Sequence, residues 1–248
     1  MTLPEGVPVN AVVVNVLSAG HIFLQLPSHP TFPNLPRLDA CMLACYTSSA
    51  APPVDTSLQP GQLCAAPLCG GWFRAQIVQV IDAPPSSTEN GGSGDVLPGM
   101  LSGQEAYLRW VDYGGYSQVP IKDLRQCRSD FMTLPFQAIE CYLGNVSPPH
   151  SEDGSAVNPF EFPIEGAFFL EEAVKNSIIE VEVVAYAEDG LPCVHLFKNE
   201  NGFGGGVADP NARTLINKEL VERGFATWVE GIPSPEITGE EYEGEVFQ

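Results

Sequence analysis

The sequence predicts a mainly β fold with a few helices, in which a small β-barrel is inserted into a second barrel. Three observations lead there. Glycine and proline are both frequent, 24 and 23 of 248 residues, which favours short elements joined by turns over long helices. The middle of the chain is a run of short apolar segments, each bounded by Gly, Pro or Asp, the pattern of a small barrel. The flanking pieces look incomplete alone and would pair with each other to form the second barrel.

In order along the chain, "AVVVNVLSAGHIFLQL" reads as two strands around a Ser-Ala-Gly turn. In "FPNLPRLDACMLACYTS", Leu35, Leu38, Met42 and Cys45 recur at helical spacing, and Pro36 suits a helix start. A Pro-rich connector leads to four strands, "LCAAPL", "WFRAQIVQVI", "EAYLRWVDY" and "YSQVPI". The Ser/Gly/Pro-rich stretch 83–103 reads as a long flexible hairpin loop inside this block. "IKDLRQCRSDFMTL" is a helical or bent segment with Leu124, Cys127 and Phe131 on one face. "PFQAIECYLGNV" restarts as a strand from Phe136, and "SPPHSEDGSAVNP" is a loop. "EGAFFLEEAVKNS" is an amphipathic helix, and the next two strands form a hairpin turning at Asp189-Gly190. A glycine-rich loop, "ENGFGGGVADPN", precedes a last helix with Thr214 as N-cap and Gly224 at its end. The expected organisation is 8–59 and 136–230 for the outer barrel, 60–135 for the inner one, and 231–248 as a disordered acidic tail.

Composition limits the function classes. A formal net charge of −20 repels phosphate backbones and anionic lipid heads and attracts cationic partners. Arg109, Lys122, Arg125 and Arg128 are a local exception, read as surface salt bridges or, in the alternative, as a direct RNA contact. The seven cysteines include no CxxC pair, so zinc and redox motifs lack support, and a reducing compartment is expected. Cys41 and Cys45 share a helical face and read as small buried apolar residues. The histidines do not cluster with cysteines, and neither a catalytic triad nor a phosphate cradle can be assembled, so no metal, cofactor or catalytic residue is assigned. No apolar run is long enough to span a bilayer, and "MTLPEGVPVN" lacks the features of a signal peptide. The abrupt start is expected of a piece of a longer protein.

Aromatic residues carry the functional signal. Trp72 and Phe73 point to opposite faces of a strand, one toward the core and one outward. In "RWVDYGG", Tyr113 precedes Gly114-Gly115, where a turn could swing it back toward Trp110. Rings at Phe73, Trp110 and Tyr113 would then form an open box for a methylated cation, each contributing about 0.5–2 kcal/mol. Methylated arginine keeps its charge and suits such a site. The alternative is that these rings are core residues.

At these residues the sequence resembles a known family. "GWFRAQIVQV", "LRWVDYGGYSQVPIKDLR" and "FMTLPFQAIECYLGNVSP" are similar to the extended Tudor domain, with its W-aromatic-R-A strand, D-Y-G turn and LP-x-QA segment. The resemblance covers about residues 8–230. It implies a Tudor SH3-like barrel wrapped by an OB-fold, staphylococcal-nuclease-like barrel, and a site that binds methylarginine through Phe73, Trp110 and Tyr113. The chain departs from the pattern twice. A further aromatic is replaced by Pro67 or Leu68, and the asparagine that follows D-Y-G is Gly115. Losing one ring wall and one polar anchor would cost about a few kcal/mol in sum.

The expected function is a non-catalytic interaction module for Arg/Gly-rich peptides. Two alternatives are a scaffold with a degenerate box, used for protein recruitment or self-association, and a nuclease suggested by the outer barrel. Cleavage would need carboxylates and arginines gathered around a phosphate, and no such constellation stands out.

Overall fold

The computed structural model describes residues 1–47, 53–54, 58–81, 104–149, 161–199 and 213–230. β1 (Val9–Ser18) and β2 (His21–Gln25) form the expected pair around Ala19 and Gly20. A 3-10 turn, Phe32–Asn34, leads into α1 (Leu35–Tyr46), which carries a proline in its first turn. The helix seats Met42 and Tyr46 against Ala65, Cys127 and Phe131. Only this face docks. Cys45 is therefore half-buried at its edge, and Cys41 is exposed, against the expectation that both are buried.

The middle block is a five-stranded sheet in the order β6-β5-β4-β3-β7. Its strands are β3 (Leu63–Leu68), β4 (Gly71–Ile81), β5 (Glu105–Trp110), β6 (Tyr116–Pro120) and β7 (Arg125–Gln126). It curls into a barrel around Ile77, Leu108, Trp110 and Leu124. The segment after β6 is bent, not α-helical: 3-10 turns at Ile121–Asp123 and Ser129–Met132 flank β7. The bend sends Leu124 into the barrel core, while Cys127 and Phe131 pack under α1. They do not share one face.

β8 (Ile139–Leu143) starts three residues after Phe136, because the backbone just before it is engaged elsewhere. Gln137 N donates to Asp112 Oδ1 at 3.2 Å, and Ala138 N donates to Val111 O at 3.1 Å. β9 (Val146–Ser147), α2 (Ile164–Val174), β10 (Ile179–Tyr186), β11 (Pro192–Asn199), β12 (Arg213–Leu215), α3 (Ile216–Glu222) and β13 (Thr227–Trp228) follow. The β10–β11 hairpin turns at Asp189-Gly190, where Asp189 Oδ1 accepts from Leu191 N at 2.9 Å. Thr214 is not a cap: it lies in β12, paired with Lys198, and Leu215 is the residue before α3. Gly224, at φ +78°, does end that helix.

The outer sheet runs β10-β1-β2-β8-β11-β12, and a direct β10–β11 pairing closes the ring. Its strands come from both sides of the middle block, so the smaller barrel is inserted in the larger. The outer core gathers Ile22, Leu24, Leu143, Leu196 and Ile179, with Leu170 of α2 and Leu220 of α3 covering it. No helix among the described residues is long and apolar enough to cross a membrane. The stretches 83–103, 150–160, 200–212 and 231–248, where loops and a tail were expected, lie outside the described residues.

Candidate functional site

The site is built on a buried ion pair. Arg74 of β4 is fully buried and grips Asp112 with two bonds, Nε to Oδ2 at 2.9 Å and Nη2 to Oδ1 at 2.6 Å. Its remaining donors reach the carbonyls of Phe131 at 3.0 Å, Leu134 at 2.6 Å and Pro135 at 3.2 Å. Gln25 of the outer barrel donates from Nε2 to Asp112 O at 2.5 Å. Such a pair survives desolvation only because nearly every lone pair and N–H is matched. The arginine of W-aromatic-R-A, the aspartate of D-Y-G and the backbone of the LP segment are thus one structural lock. Composition and spacing did not reveal it.

The lock fixes the turn that carries the aromatic site. β5 ends at Trp110, and Gly114 N donates to Trp110 O at 2.9 Å while Trp110 N donates to Gly115 O at 3.0 Å. Gly114 has φ +74°, and a Cβ there would stand 2.3 Å from Phe23, so only glycine lets the turn meet the outer barrel. This reverses the chain and brings the Tyr113 ring to 5.3 Å from Phe73, edge to face at 82°. Phe73 meets Trp110 at 6.5 Å and 88°. Phe73 is half-buried, Tyr113 is 36% exposed and Trp110 only 4%. Trp110 also donates from Nε1 to Ser117 Oγ at 3.0 Å. It therefore forms the floor of the site and belongs equally to the barrel core. Trp72 and Phe73 take opposite faces of β4 as expected: Phe73 packs on the barrel core, and Trp72, on the face away from it, is partly covered by Tyr46 of α1 at 5.3 Å.

The three rings and Trp72 border an open cavity of about 550 Å³. Leu68, Cys69 and Gly71 around the β3–β4 turn and Asp39, Ala40 and Leu43 of α1 complete its wall. Leu68 thus occupies one side, while Pro67 is absent from the lining. Gly115 offers no side chain; a Cβ there would be 2.8 Å from Asn15 Nδ2, so a residue of the outer barrel fills that space. Tyr113 donates its hydroxyl to Asp39 Oδ2 at 2.5 Å. Burial pushes the Asp39 carboxyl above its ordinary range, partly offset by that hydrogen bond. Asp39 was missed by sequence reasoning, because nothing local marks one acid on a helix 74 positions from the tyrosine it meets.

Two of the four basic residues are in ion pairs. Arg109 is paired with Glu140 at 3.3 Å, Arg125 donates to the carbonyls of Lys122 and Leu124 and stacks on Trp72, and Arg128 binds Asp130 at 2.8 Å. The Arg109 contact is an ion pair without hydrogen-bond geometry at Nε. Glu140 is a buried node between the barrels, accepting from Tyr116 at 2.7 Å and contacting His21 Nε2 at 2.8 Å. Among the described residues, no group of three or more His, Cys, Asp or Glu is placed to hold a metal ion.

Two interlocked barrels, with an aromatic site at the rim of the smaller, define a Tudor-type module. The Tudor domain family model matches residues 3–86 and 99–145, and the chain belongs to that family. Mouse A-kinase anchor protein 1, mitochondrial, is 36% identical over 231 residues, covering 93% of this chain and 23% of that protein. Human Tudor and KH domain-containing protein is 29% identical over 212 residues, 83% of this chain and 31% of that one. The chain thus spans less than a third of either relative. Among solved structures, the extended Tudor domain of Drosophila melanogaster Papi superposes with TM-score 0.68 at 26% identity, covering 90% of this chain and all of that one. The extended Tudor domain TD3 of mouse TDRD1, solved with a MILI peptide containing dimethylarginine, gives 0.68 at 18% identity and covers 93% and 97%. The fold is that of an extended Tudor domain.

Proposed function

We propose that this chain is a non-catalytic interaction module that binds Arg/Gly-rich peptides, methylated on arginine or not, through a partial aromatic cage of Phe73, Trp110 and Tyr113. The observation that carries this reading is the cavity left open between rings set edge to face at the barrel rim. Ring faces turned to one gap attract an organic cation, and a negative net charge of −20 draws a cationic peptide toward it. The human TDRD1 extended Tudor domain has been solved with a symmetrically dimethylated peptide, which supports the same use here. The interaction unit in this reading comprises 60–135 as the Tudor barrel and 8–59 with 136–230 as its outer support. By likeness to mouse A-kinase anchor protein 1, mitochondrial, the module serves a scaffold on the cytosolic face of the mitochondrial outer membrane.

Titration of Arg-Gly peptides carrying dimethylated, monomethylated and unmodified arginine tests the reading. Micromolar-scale binding of at least one is expected, and equal, negligible binding of all three overturns it. A second reading is favoured by Leu68 and Gly115, which replace a ring wall and an amide. In it the cage is degenerate, and the domain recruits proteins or self-associates without reading methylarginine. Light scattering of the purified chain, together with failed titrations, would select this reading.

A further inference from the structure

We propose that Asp39 of α1 is the cation-pairing group of the cage, a carboxylate supplied from outside the Tudor barrel. The proposal deepens the peptide-binding reading above and rests on it. Asp39 is the one charged side chain among the described residues that line the cavity. The rest of the wall is aromatic, aliphatic or a thiol, and the indole N–H of Trp110 is already committed to Ser117.

The carboxylate is held in place from two directions. α1 is anchored through Met42 and Tyr46, so Asp39, one turn earlier, has a fixed position at the cavity edge. The Tyr113 hydroxyl fixes one of its oxygens and leaves the other free to accept. A polar anchor at position 115 would have to displace the Asn15 amide and adopt a φ of +84°, which favours glycine. The geometry therefore replaces a neutral amide with a half-buried negative charge.

The chemistry of selection follows from that replacement. Ring faces alone hold any cation, including one with no N–H left. A carboxylate adds attraction for the charge and accepts the remaining N–H groups of a guanidinium. A site with both discriminates strongly between arginine and citrulline, which has almost the same shape and no charge.

The test is calorimetric titration of the intact chain with one Arg-Gly peptide in four forms: unmodified, monomethylated, symmetrically dimethylated, and with citrulline for the arginine. Wild type, Asp39→Asn and Phe73→Ala are compared, each checked for an unchanged thermal midpoint within about 5 °C. Asp39→Asn keeps an oxygen that accepts from Tyr113. Wild type is expected to prefer the arginine forms over citrulline by about tenfold or more. Asp39→Asn should lose about tenfold toward the arginine forms and narrow the arginine-to-citrulline ratio to the part that the ring faces supply. Phe73→Ala should weaken the arginine forms and narrow the ratio less than Asp39→Asn does, because the carboxylate still distinguishes a charged from a neutral group. An unchanged ratio in Asp39→Asn, with wild type binding normally, overturns the role of Asp39 alone. No binding of any arginine form by wild type overturns the cage reading and this proposal together.

Discussion

At the scale of single residues, burial decides which substitutions report on binding and which on folding. Trp110, in the proposed cage, has almost no exposed surface, so Trp110→Ala should destabilise the barrel by about 3–5 kcal/mol, seen as a lower urea midpoint. Loss of peptide binding in that variant would not isolate the cage. Tyr113→Phe keeps the ring and removes only the hydroxyl that meets Asp39; its midpoint should stay close to wild type. Asp112→Ala leaves the fully buried Arg74 without its partner and should cost about 3–5 kcal/mol, a far larger shift of the same midpoint. The meeting of Phe73, Trp110 and Tyr113 was legible in the sequence because the motifs around them are specific. The burial of Trp110 was left open between a core and a site residue, and the alternation of β5 decides it: Ala106, Leu108 and Trp110 share the inward face.

At the scale of elements, local signals were read correctly where the element is decided locally. The Asp189-Gly190 turn, the proline-led start of α1 and Gly224 after α3 each follow from backbone requirements of the residues themselves. Thr214 was misread because β12 pairs with β11, an interaction between distant segments that outweighs capping preference. Cys41 was misread because helical spacing places residues on a face without saying how much of that face is covered. The docking of α1 itself has a clear anchor. Tyr46 donates to Gln126 O at 2.8 Å and accepts from Arg128 N at 3.1 Å. Burial pushes its hydroxyl pKa up to about 12, so it stays protonated and able to do both. Tyr46→Phe should cost about 1 kcal/mol by removing two part-buried hydrogen bonds, and hydrogen exchange should rise at Arg128 first.

At the scale of the whole molecule, the two barrels are joined by charge as well as by packing. Desolvation opposes ionisation of Glu140, but hydrogen bonds from His21 and Tyr116 and the charge of Arg109 outweigh it, so its pKa lies below the ordinary carboxylate range. A depressed native pKa stabilises the fold fully above the unfolded value and less as pH falls through the native one. The stability gap between wild type and Glu140→Gln should therefore shrink from about pH 7 to about pH 3, measured as the urea midpoint. The insertion of one barrel in the other also orders events during synthesis. Val9 of β1 pairs with Val181 of β10, and His21 of β2 with Tyr142 of β8. The first strands leave the ribosome long before their partners are translated, and they wait with unsatisfied edges while the inner barrel is made. A nascent chain stalled ahead of β10 should accordingly hold a protease-resistant inner barrel between two digestible arms.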